Sequence, residues 1–202
     1  MLVKRFLRQK LREGEDFIYL NNHSPLDLLE IKLHGCRMCR LSQSRNRPVF
    51  GEGSSTASIM LVGEAPGREE DKEGRPFVGR AGKLLRSMLT EIGVKDIYIT
   101  NVVKCHPLYD RDPKPDEISA CYPYLKKQIE IIAPDLIVSL GRIASSLFIG
   151  SDISITKIHG RLYDYQGIRL IPTFHPAFLI RNPNYRNHGF NDLIKAKELI
   201  YG

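Results

Sequence analysis

The stretch that decides the fold is Ser58-Ile59-Met60-Leu61-Val62-Gly63-Glu64-Ala65-Pro66-Gly67, in which an apolar run leads directly into a glycine-rich loop. Residues 58–62 have the length and apolar character of a strand buried on both faces. A loop rich in Gly, Pro and charge continues to residue 79. From residue 80, apolar side chains recur at helical spacing until a glycine at 93. Strand, loop and helix in this order indicate an α/β fold.

The rest of the chain repeats this alternation of strands and helices. Helices are predicted over residues 25–34, from 116 to about 133, kinked or restarted at the proline at 123, and over 193–200. Strands are predicted over residues 97–100 and 136–140, with a hairpin formed by residues 162–165 and 168–171. We therefore expect a three-layer sandwich with a central, mainly parallel sheet flanked by helices. Residues 25–202 are interpreted as one domain, and residues 1–24 as an N-terminal extension, a surface arm or short amphipathic helix.

Composition and charge describe an ordinary globular chain with a basic surface. The 202 residues carry a formal net charge of +7, which favours a polyanionic partner without identifying one. No apolar run approaches the length of a membrane span, and the N-terminus lacks the apolar core of a signal peptide. We therefore expect a cytoplasmic protein.

The four cysteines are Cys36, Cys39, Cys105 and Cys121, separated by two, 65 and 15 residues. A disulfide framework is disfavoured without a secretory signal. Two thiolates spaced as CxxC can bind one metal centre, whereas two CxxC pairs would have favoured zinc. Four thiolates also suit an iron–sulfur cluster. Four unrelated buried thiols are the remaining alternative.

Three polar segments are predicted to follow the carboxyl ends of strands. They are the loop after Val62, Asn101 and His175. In open α/β sheets, ligands bind beyond this edge. The three segments, although distant in sequence, are therefore expected to meet at one site. The glycine-rich loop taken alone would suit an anion, but it matches neither the P-loop nor the dinucleotide fingerprint.

Five motifs in a fixed order resemble family 4, the iron–sulfur type, of the uracil-DNA glycosylase superfamily. They are GEAPGREED (63–71), GRPFVGRAG (74–82), ITNVVKC (99–105), LGRIA (140–144) and PTFHPAFLIRNP (172–183). The resemblance covers about residues 26 to 185, and the four cysteines fall where this family places its cluster ligands. It implies a monomeric repair enzyme that flips uracil out of single- or double-stranded DNA and hydrolyses its N-glycosidic bond. It also selects one 4Fe–4S cluster over zinc.

The resemblance assigns a uracil pocket to five residues and places a sixth, His175, beside them. Gly63, Glu64 and Ala65 would line it, Phe77 would stack on the base, and Asn101 would accept from N3–H and donate to O4. His175 would lie near O2, where negative charge grows as the base departs. The side-chain amide of Asn101 can pair with two groups of the uracil edge. Cytosine has a different pattern there and would leave buried polar groups unpaired.

The carboxylate that serves the attacking water is less defined by the motifs. The best-known branch of the superfamily has an Asp, proposed to position or activate water, where this chain has Ala65, as family 4 does. Glu70 is our candidate to orient water or favour the sugar cation, with Asp71 second, and His175 and Glu64 complete the catalytic set. The alternative for Glu70 is a salt bridge to Arg75 or Arg80.

DNA contacts are expected at two places. Lys104 and Arg111 would lie on a loop pinned by the cluster and would contact phosphates. In the segment after His175, Leu179 is the predicted wedge that fills the gap left by the flipped base, with Arg181 on a phosphate. In the alternative, Phe178, Leu179 and Ile180 pack inward as a short buried helix.

Two other functions remain open at this point. One is a glycosylase of the related family 5, with a broader tolerance of damaged bases; Glu64 in GEAPG favours family 4. The other is a non-catalytic, metal-stabilised nucleic-acid-binding module. Such a module needs the basic residues and cysteines but makes no demand on Asn101 or His175.

Overall fold

The computed structural model describes residues 23–150 and 153–202. These residues form one six-stranded sheet in the order β1-β3-β2-β4-β6-β5. The strands are β1 (Glu52–Gly53), β2 (Ile59–Gly63), β3 (Ile97–Asn101), β4 (Leu136–Leu140), β5 (Tyr163–Tyr165) and β6 (Ile168–Thr173). The four central strands are parallel, and β1 and β5 are antiparallel edges.

Helices cover both faces of the sheet and give it three layers. They are α1 (Pro25–His34), α2 (Arg68–Glu73), α3 (Arg80–Glu91), α4 (Pro115–Ile132), α5 (Arg142–Ile149), α6 (Ile155–Ile158), α7 (Pro176–Arg181) and α8 (Arg186–Tyr201). Short 3-10 turns lie at Arg40–Gln43, Leu108–Asp110 and Pro183–Tyr185. The predicted three-layer α/β sandwich is confirmed.

Alternation along the strands builds two cores. Met60 and Val62 of β2 point to one face, where they join Leu125 of α4. Ile59 and Leu61 point to the other face, which α3, α7 and α8 cover. All five residues of β2 are buried, as expected for a strand between two helical layers.

Several local predictions are confirmed by the structure. Helix α1 begins after Ser24, whose hydroxyl accepts from the Asp27 N–H while the Asp27 carboxylate accepts from Ser24, a complete capping box. The β5–β6 hairpin turns at Gln166 and Gly167, both with positive φ (54° and 86°).

Some elements were not predicted from the sequence, and for another the structure excludes one of two alternatives, a restart of the helix at Pro123. The loop predicted over residues 63–79 contains α2, whose acidic first turn favours a helix N-terminus. The two-residue edge strand β1 was too short to be found from periodicity. Helix α4 is one continuous element through Pro123. The N-terminal extension lies almost entirely outside the described residues, so that division of the chain stays a prediction. None of the helices in the described part is long and apolar enough to cross a membrane.

Candidate active site

A cleft of about 370 Å³ opens at the carboxyl ends of β2, β3 and β6. It brings together five of the predicted pocket residues from distant parts of the chain. They are Glu64, Ala65, Phe77, Asn101 and His175. Gly63 does not line the cleft but lies against two residues that do, because a Cβ there would lie 2.6 Å from Cζ of Phe77 and would overlap Oδ1 of Asn101. The parallel register places Gly63 directly beside Asn101.

Asn101 is the last residue of β3, and its side-chain oxygen is an acceptor without a hydrogen-bond partner among the described residues. The residue is 1% exposed. Its Oδ1 is the one buried side-chain nitrogen or oxygen without a hydrogen-bond partner among residues 23–150 and 153–202. Buried polar groups are almost always paired, so an unpaired one lining a cleft indicates a group available to a ligand. Such an oxygen can accept from an imide N–H.

The ring of Phe77 lies beside this amide and is held by an unusual backbone. Phe77 has a φ of 54°, a left-handed conformation that is costly for a bulky residue. Arg86 donates from Nε to the Phe77 carbonyl at 3.0 Å. A Cβ on Gly82 would overlap the Phe77 backbone, so this glycine permits the close approach of α3. The surrounding structure therefore fixes the aromatic face in place.

Glu70 braces the loop that carries Phe77. Its Oε1 accepts from the N–H groups of Val78 and Gly79 at 2.9 and 2.8 Å, and Oε2 accepts from Gly67 at 3.1 Å. The expected alternative, a salt bridge to Arg75 or Arg80, is wrong: Arg75 pairs with Glu52 at 2.9 Å instead.

Asp71, the second carboxylate considered for water, is 3% exposed. Its carboxylate accepts from the N–H and the side-chain amide of Asn46. Its contacts are therefore structural. A catalytic role for Glu70 stays a prediction, since Glu70 does line the cleft.

Glu64 is a half-buried carboxyl group that lines the cleft. Burial, with the nearby negative charge of Asp112, raises the pKa of Glu64 to about 7, against the opposing effect of Arg142. A carboxylate with a pKa near neutrality is suited to exchange protons at physiological pH.

His175 caps the start of α7 and is held in one orientation. Its Nδ1 accepts from the N–H of Ala177 at 3.2 Å, which leaves the proton of the neutral ring on Nε2. Burial and the positive charge of Arg181 lower the pKa of His175 to about 4. The neutral ring therefore offers one N–H donor. Gly141 of the LGRIA motif packs against this residue, because a Cβ there would lie 2.8 Å from Cβ of His175.

Two predicted DNA contacts are contradicted by the structure. Leu179 is 2% exposed and packs on Gly189 of α8, so it is a core residue and not a wedge. Phe178 also packs inward, stacked on Phe174 with centroids 5.4 Å apart. Lys104 is 0% exposed, and its ammonium is enclosed by three protein acceptors. The prediction that it contacts phosphates is wrong, because a charge buried in this way cannot reach DNA.

The other two predicted contacts lie at the mouth of the cleft. Arg181 is exposed there, and Arg111 lines the cleft while pairing with the buried Glu117 at 2.7 Å. Two nearby residues, His106 and Asp112, were not predicted from the sequence. His106 donates from Nδ1 to the Pro66 carbonyl at 2.9 Å, and Asp112 pairs with Arg142 at 2.9 Å. No spacing in the sequence links these partners.

The four cysteines belong to one region of the core. Cys105 and Cys121 are buried, Cys36 and Cys39 pack beside them half-buried, and all four are free thiols. Arg45 donates from Nη1 to Sγ of Cys105 at 3.0 Å. Burial raises the pKa of Cys121 to about 11. Within the described ranges, no group of three or more His, Cys, Asp or Glu side chains is arranged to hold a metal ion.

Comparisons with known proteins agree with this geometry. A family model described as the uracil DNA glycosylase superfamily matches residues 50–196. A type-4 uracil-DNA glycosylase of Thermotoga maritima is 47% identical over 181 residues, which cover 87% of this chain and 94% of that protein. One of Sulfurisphaera tokodaii is 48% identical over 186 residues, covering 86% and 84%. A type-5 enzyme of Pyrobaculum aerophilum is 28% identical over 151 residues, covering 65% and 66%. The chain belongs to the uracil-DNA glycosylase superfamily and, within it, to the type-4 uracil-DNA glycosylases.

Proposed function

We propose that this cleft receives a uracil flipped out of DNA and is the place where its bond to deoxyribose is hydrolysed. The chain is a uracil-DNA glycosylase, and its products are free uracil and an abasic site. The observation that supports this assignment best is the unpaired, buried Oδ1 of Asn101 beside the ring of Phe77. An acceptor and an aromatic face at one position suit the N3–H and the ring of uracil.

Base selection follows from the amide of Asn101. Its Oδ1 accepts from N3–H of uracil, and its amino group donates to O4. Cytosine has an acceptor at N3 and a donor at C4, so both contacts would be lost in a buried site. The flipped base stacks on Phe77, while Gly63 leaves room for the base edge.

Hydrolysis needs one group that stabilises the departing uracil anion and a second group that activates the attacking water. We assign the first role to His175, whose neutral ring directs its Nε2–H towards O2. For the second we assign Glu64, because the raised pKa of this carboxylate suits a general base. Glu70 accepts from three backbone N–H groups, and we assign it the support of the Phe77 loop instead of the orientation of water.

We also propose that Cys36, Cys39, Cys105 and Cys121 hold one 4Fe–4S cluster. Four thiols in one part of the core, two of them accepting N–H donors, fit the ligand set of such a cluster. A four-iron cluster is larger than a single ion and keeps its thiolates further apart. When bound, the group supplies a structural cross-link between the segment that follows α1, the segment that follows β3, and α4.

The partner is uracil-containing DNA, single- or double-stranded, held at the cleft mouth by Arg181 and Arg111 and otherwise by the basic surface. We propose a monomer that acts in the cytoplasm, next to the prokaryotic nucleoid.

The test is incubation with a labelled oligonucleotide carrying one uracil, followed by alkali cleavage, beside the same strand carrying thymine. We expect cleavage of the uracil strand alone. Asn101→Ala should lose excision but retain most of its DNA affinity, since that affinity comes mainly from phosphates. Asn187→Ala, on the exposed face of α8, is the matched control and should behave as wild type. A wild-type chain that binds DNA without producing alkali-labile sites would support the non-catalytic module instead.

A further inference from the structure

Lys104 is a fully enclosed charged side chain near the active site, and all its polar groups have hydrogen-bond partners. Its ammonium donates to the Asn101 carbonyl at 2.7 Å, to Oε1 of Gln128 at 2.6 Å and to Oγ1 of Thr100 at 2.5 Å. Its backbone carbonyl accepts from the Val49 N–H at 2.7 Å. An ammonium has three donors, and here each one has an acceptor.

Two of the acceptors of Lys104, Gln128 and Thr100, are held in place by further hydrogen bonds. Gln128, 0% exposed, donates from Nε2 to the Phe50 carbonyl at 2.9 Å and to the Tyr98 hydroxyl at 3.0 Å. Thr100 donates to the same Phe50 carbonyl at 2.8 Å. The network joins β3, α4 and the irregular segment before β1. Fully satisfied buried networks of this kind define a single geometry, since any shift leaves a polar group unpaired.

The network ends on the backbone of the residue that recognises uracil. Lys104 fixes the carbonyl of Asn101, and Val102 donates to the Gly63 carbonyl at 2.8 Å. No hydrogen bond within the described residues holds Oδ1 of Asn101, so the direction of this side chain depends on where its backbone is held. At its other end, the N–H of Lys104 donates to Sγ of Cys121 at 3.3 Å.

We propose that Lys104 is a positioning residue that carries the order of the cysteine site to the amide of Asn101, with Thr100 and Gln128 as its supports. The inference rests on the proposed function, because it assigns what aims the amide that recognises uracil. It does not place Lys104 in contact with the base or with DNA.

The experiment compares Lys104→Met, which removes the ammonium and keeps an unbranched apolar side chain, with Thr100→Val, which keeps the shape of threonine. Each is assayed for single-turnover excision, for inhibition by free uracil and for affinity to DNA without uracil. We expect the excision rate to fall about 100-fold in Lys104→Met and about tenfold in Thr100→Val, because either change would displace the Asn101 amide that recognises uracil. Inhibition by free uracil should weaken in parallel. Affinity for undamaged DNA should not change.

Three controls separate positioning from general damage. Lys126→Met removes an exposed charge from α4 and should behave as wild type. Leu193→Ala destabilises the opposite core, where this residue is 3% exposed, and should lower the melting temperature without weakening inhibition by uracil. The visible absorbance of each variant reports whether its cysteine site is intact.

The proposal is overturned if Lys104→Met or Thr100→Val, folded and active, binds free uracil as wild type does. It is also overturned if Leu193→Ala weakens uracil inhibition as much as they do. If Lys104→Met does not fold, Thr100→Val decides alone. Absence of excision in the wild-type chain would contradict the proposed function and not this inference.

The turn over residues 107–112 provides a second, independent observation, because it presents an exposed aromatic ring at the cleft mouth. Tyr109 is 87% exposed, and its neighbour Leu108 is 48% exposed. Tyr109 and Asp110 both have positive φ, at 63° and 53°. Bulky residues rarely adopt this conformation, which is often found at functional sites.

Ion pairs of Asp110 and Asp112 link this turn to α2 and α5. His106 and Arg68 lie 3.7 and 3.6 Å from the Asp110 carboxylate, and Arg142 holds Asp112. Asp110, Arg111 and Asp112 all line the cleft. A fixed turn therefore directs an aromatic side chain away from the core, beside arginines that suit phosphates. We infer that Tyr109 stacks on a DNA base next to the flipped uracil, the contact that Leu179 cannot make.

The probe is a duplex with an abasic-site analogue and fluorescent 2-aminopurine as the neighbouring base. Tyr109→Ala should bind it about tenfold more weakly than wild type, whereas Tyr109→Phe should match wild type because stacking needs only the ring. Tyr201→Ala, at the chain end, is the exposed aromatic control. Unchanged affinity and 2-aminopurine fluorescence in Tyr109→Ala would overturn this contact, and the excision assay of the same variants tests the function separately.

Discussion

Gly63 and Asn101 pair side by side at the ends of β2 and β3, so closely that a Cβ on Gly63 would overlap the amide oxygen of Asn101. The same Cβ would lie 2.6 Å from the Phe77 ring. The smallest side chain is therefore required where the two groups assigned to uracil meet.

Gly63→Ala is expected to lower uracil excision by about 100-fold, since the added methyl displaces the amide and the ring together. The backbone of Gly63 does not need positive φ, so the fold should survive. Excision kinetics and the melting temperature check this. An active Gly63→Ala variant would show that the amide and ring can move without losing uracil.

Glu64 is expected to make excision depend on pH. If it acts as the base, the rate should rise with pH through about 7 and level off above it, because only the carboxylate accepts a proton. Glu64→Gln should be slow and should lack this step. The free energy of unfolding is expected to change with pH in the opposite direction. The raised pKa of folded Glu64 stabilises the native state below pH 4.5, and this contribution is lost as pH rises through 7. Rate profiles from pH 5 to 9 on one substrate, a range of about two units around that pKa, make the measurement.

His175→Ala is expected to slow the chemical step by about 100-fold or more on single-stranded and duplex DNA alike, because both need the departing anion stabilised. The lowered pKa of His175 predicts no titration of this ring between pH 5 and 8 in the folded protein. For stability, the contribution of His175 is present above pH 6.5 and is lost as pH falls towards 4. Single-turnover assays on the two substrates and unfolding titrations at several pH values test both statements. A loss confined to duplex DNA would contradict the assigned role.

Glu70→Ala should reduce stability and activity together. Removing the carboxylate leaves three N–H groups unpaired, and we expect a loss of about 3 kcal/mol in unfolding free energy. Urea denaturation gives this value. Glu69→Ala, an exposed neighbour on α2, is the matched control. Unchanged stability with lost activity would return Glu70 to a direct role in catalysis.

The cysteine site predicts a brown protein that absorbs broadly at about 400 nm from sulfur-to-iron charge transfer. Cys121→Ser and Cys105→Ser should bleach the protein and lower its melting temperature, with damage to folding exceeding any direct effect on base chemistry. A colourless, anaerobically purified protein with stoichiometric zinc and no iron would contradict the cluster.

The sequence by itself determined the layers of the fold and which segments meet at the cleft. The apolar strands around residues 59 and 137, the capping signal at Ser24 and the helical spacing after Arg80 depend on neighbours close in the chain, so pattern suffices to find them. The order of the five motifs identified the family, and the parallel strands required Asn101 and the loop after Val62 to meet.

Only the tertiary structure decided which polar groups face inward. Lys104 and Arg111 look alike in sequence, yet one is enclosed by Thr100 and Gln128 and the other lies on the cleft mouth. Leu179 was expected to face DNA, but α8 offers Gly189 as the surface that buries it. Burial and hydrogen-bond partners depend on contacts between segments far apart in the chain, and no local spacing encodes them. In the folded chain, the Glu70 carboxylate accepts from backbone N–H groups of its own loop, whereas burial raises the pKa of Glu64.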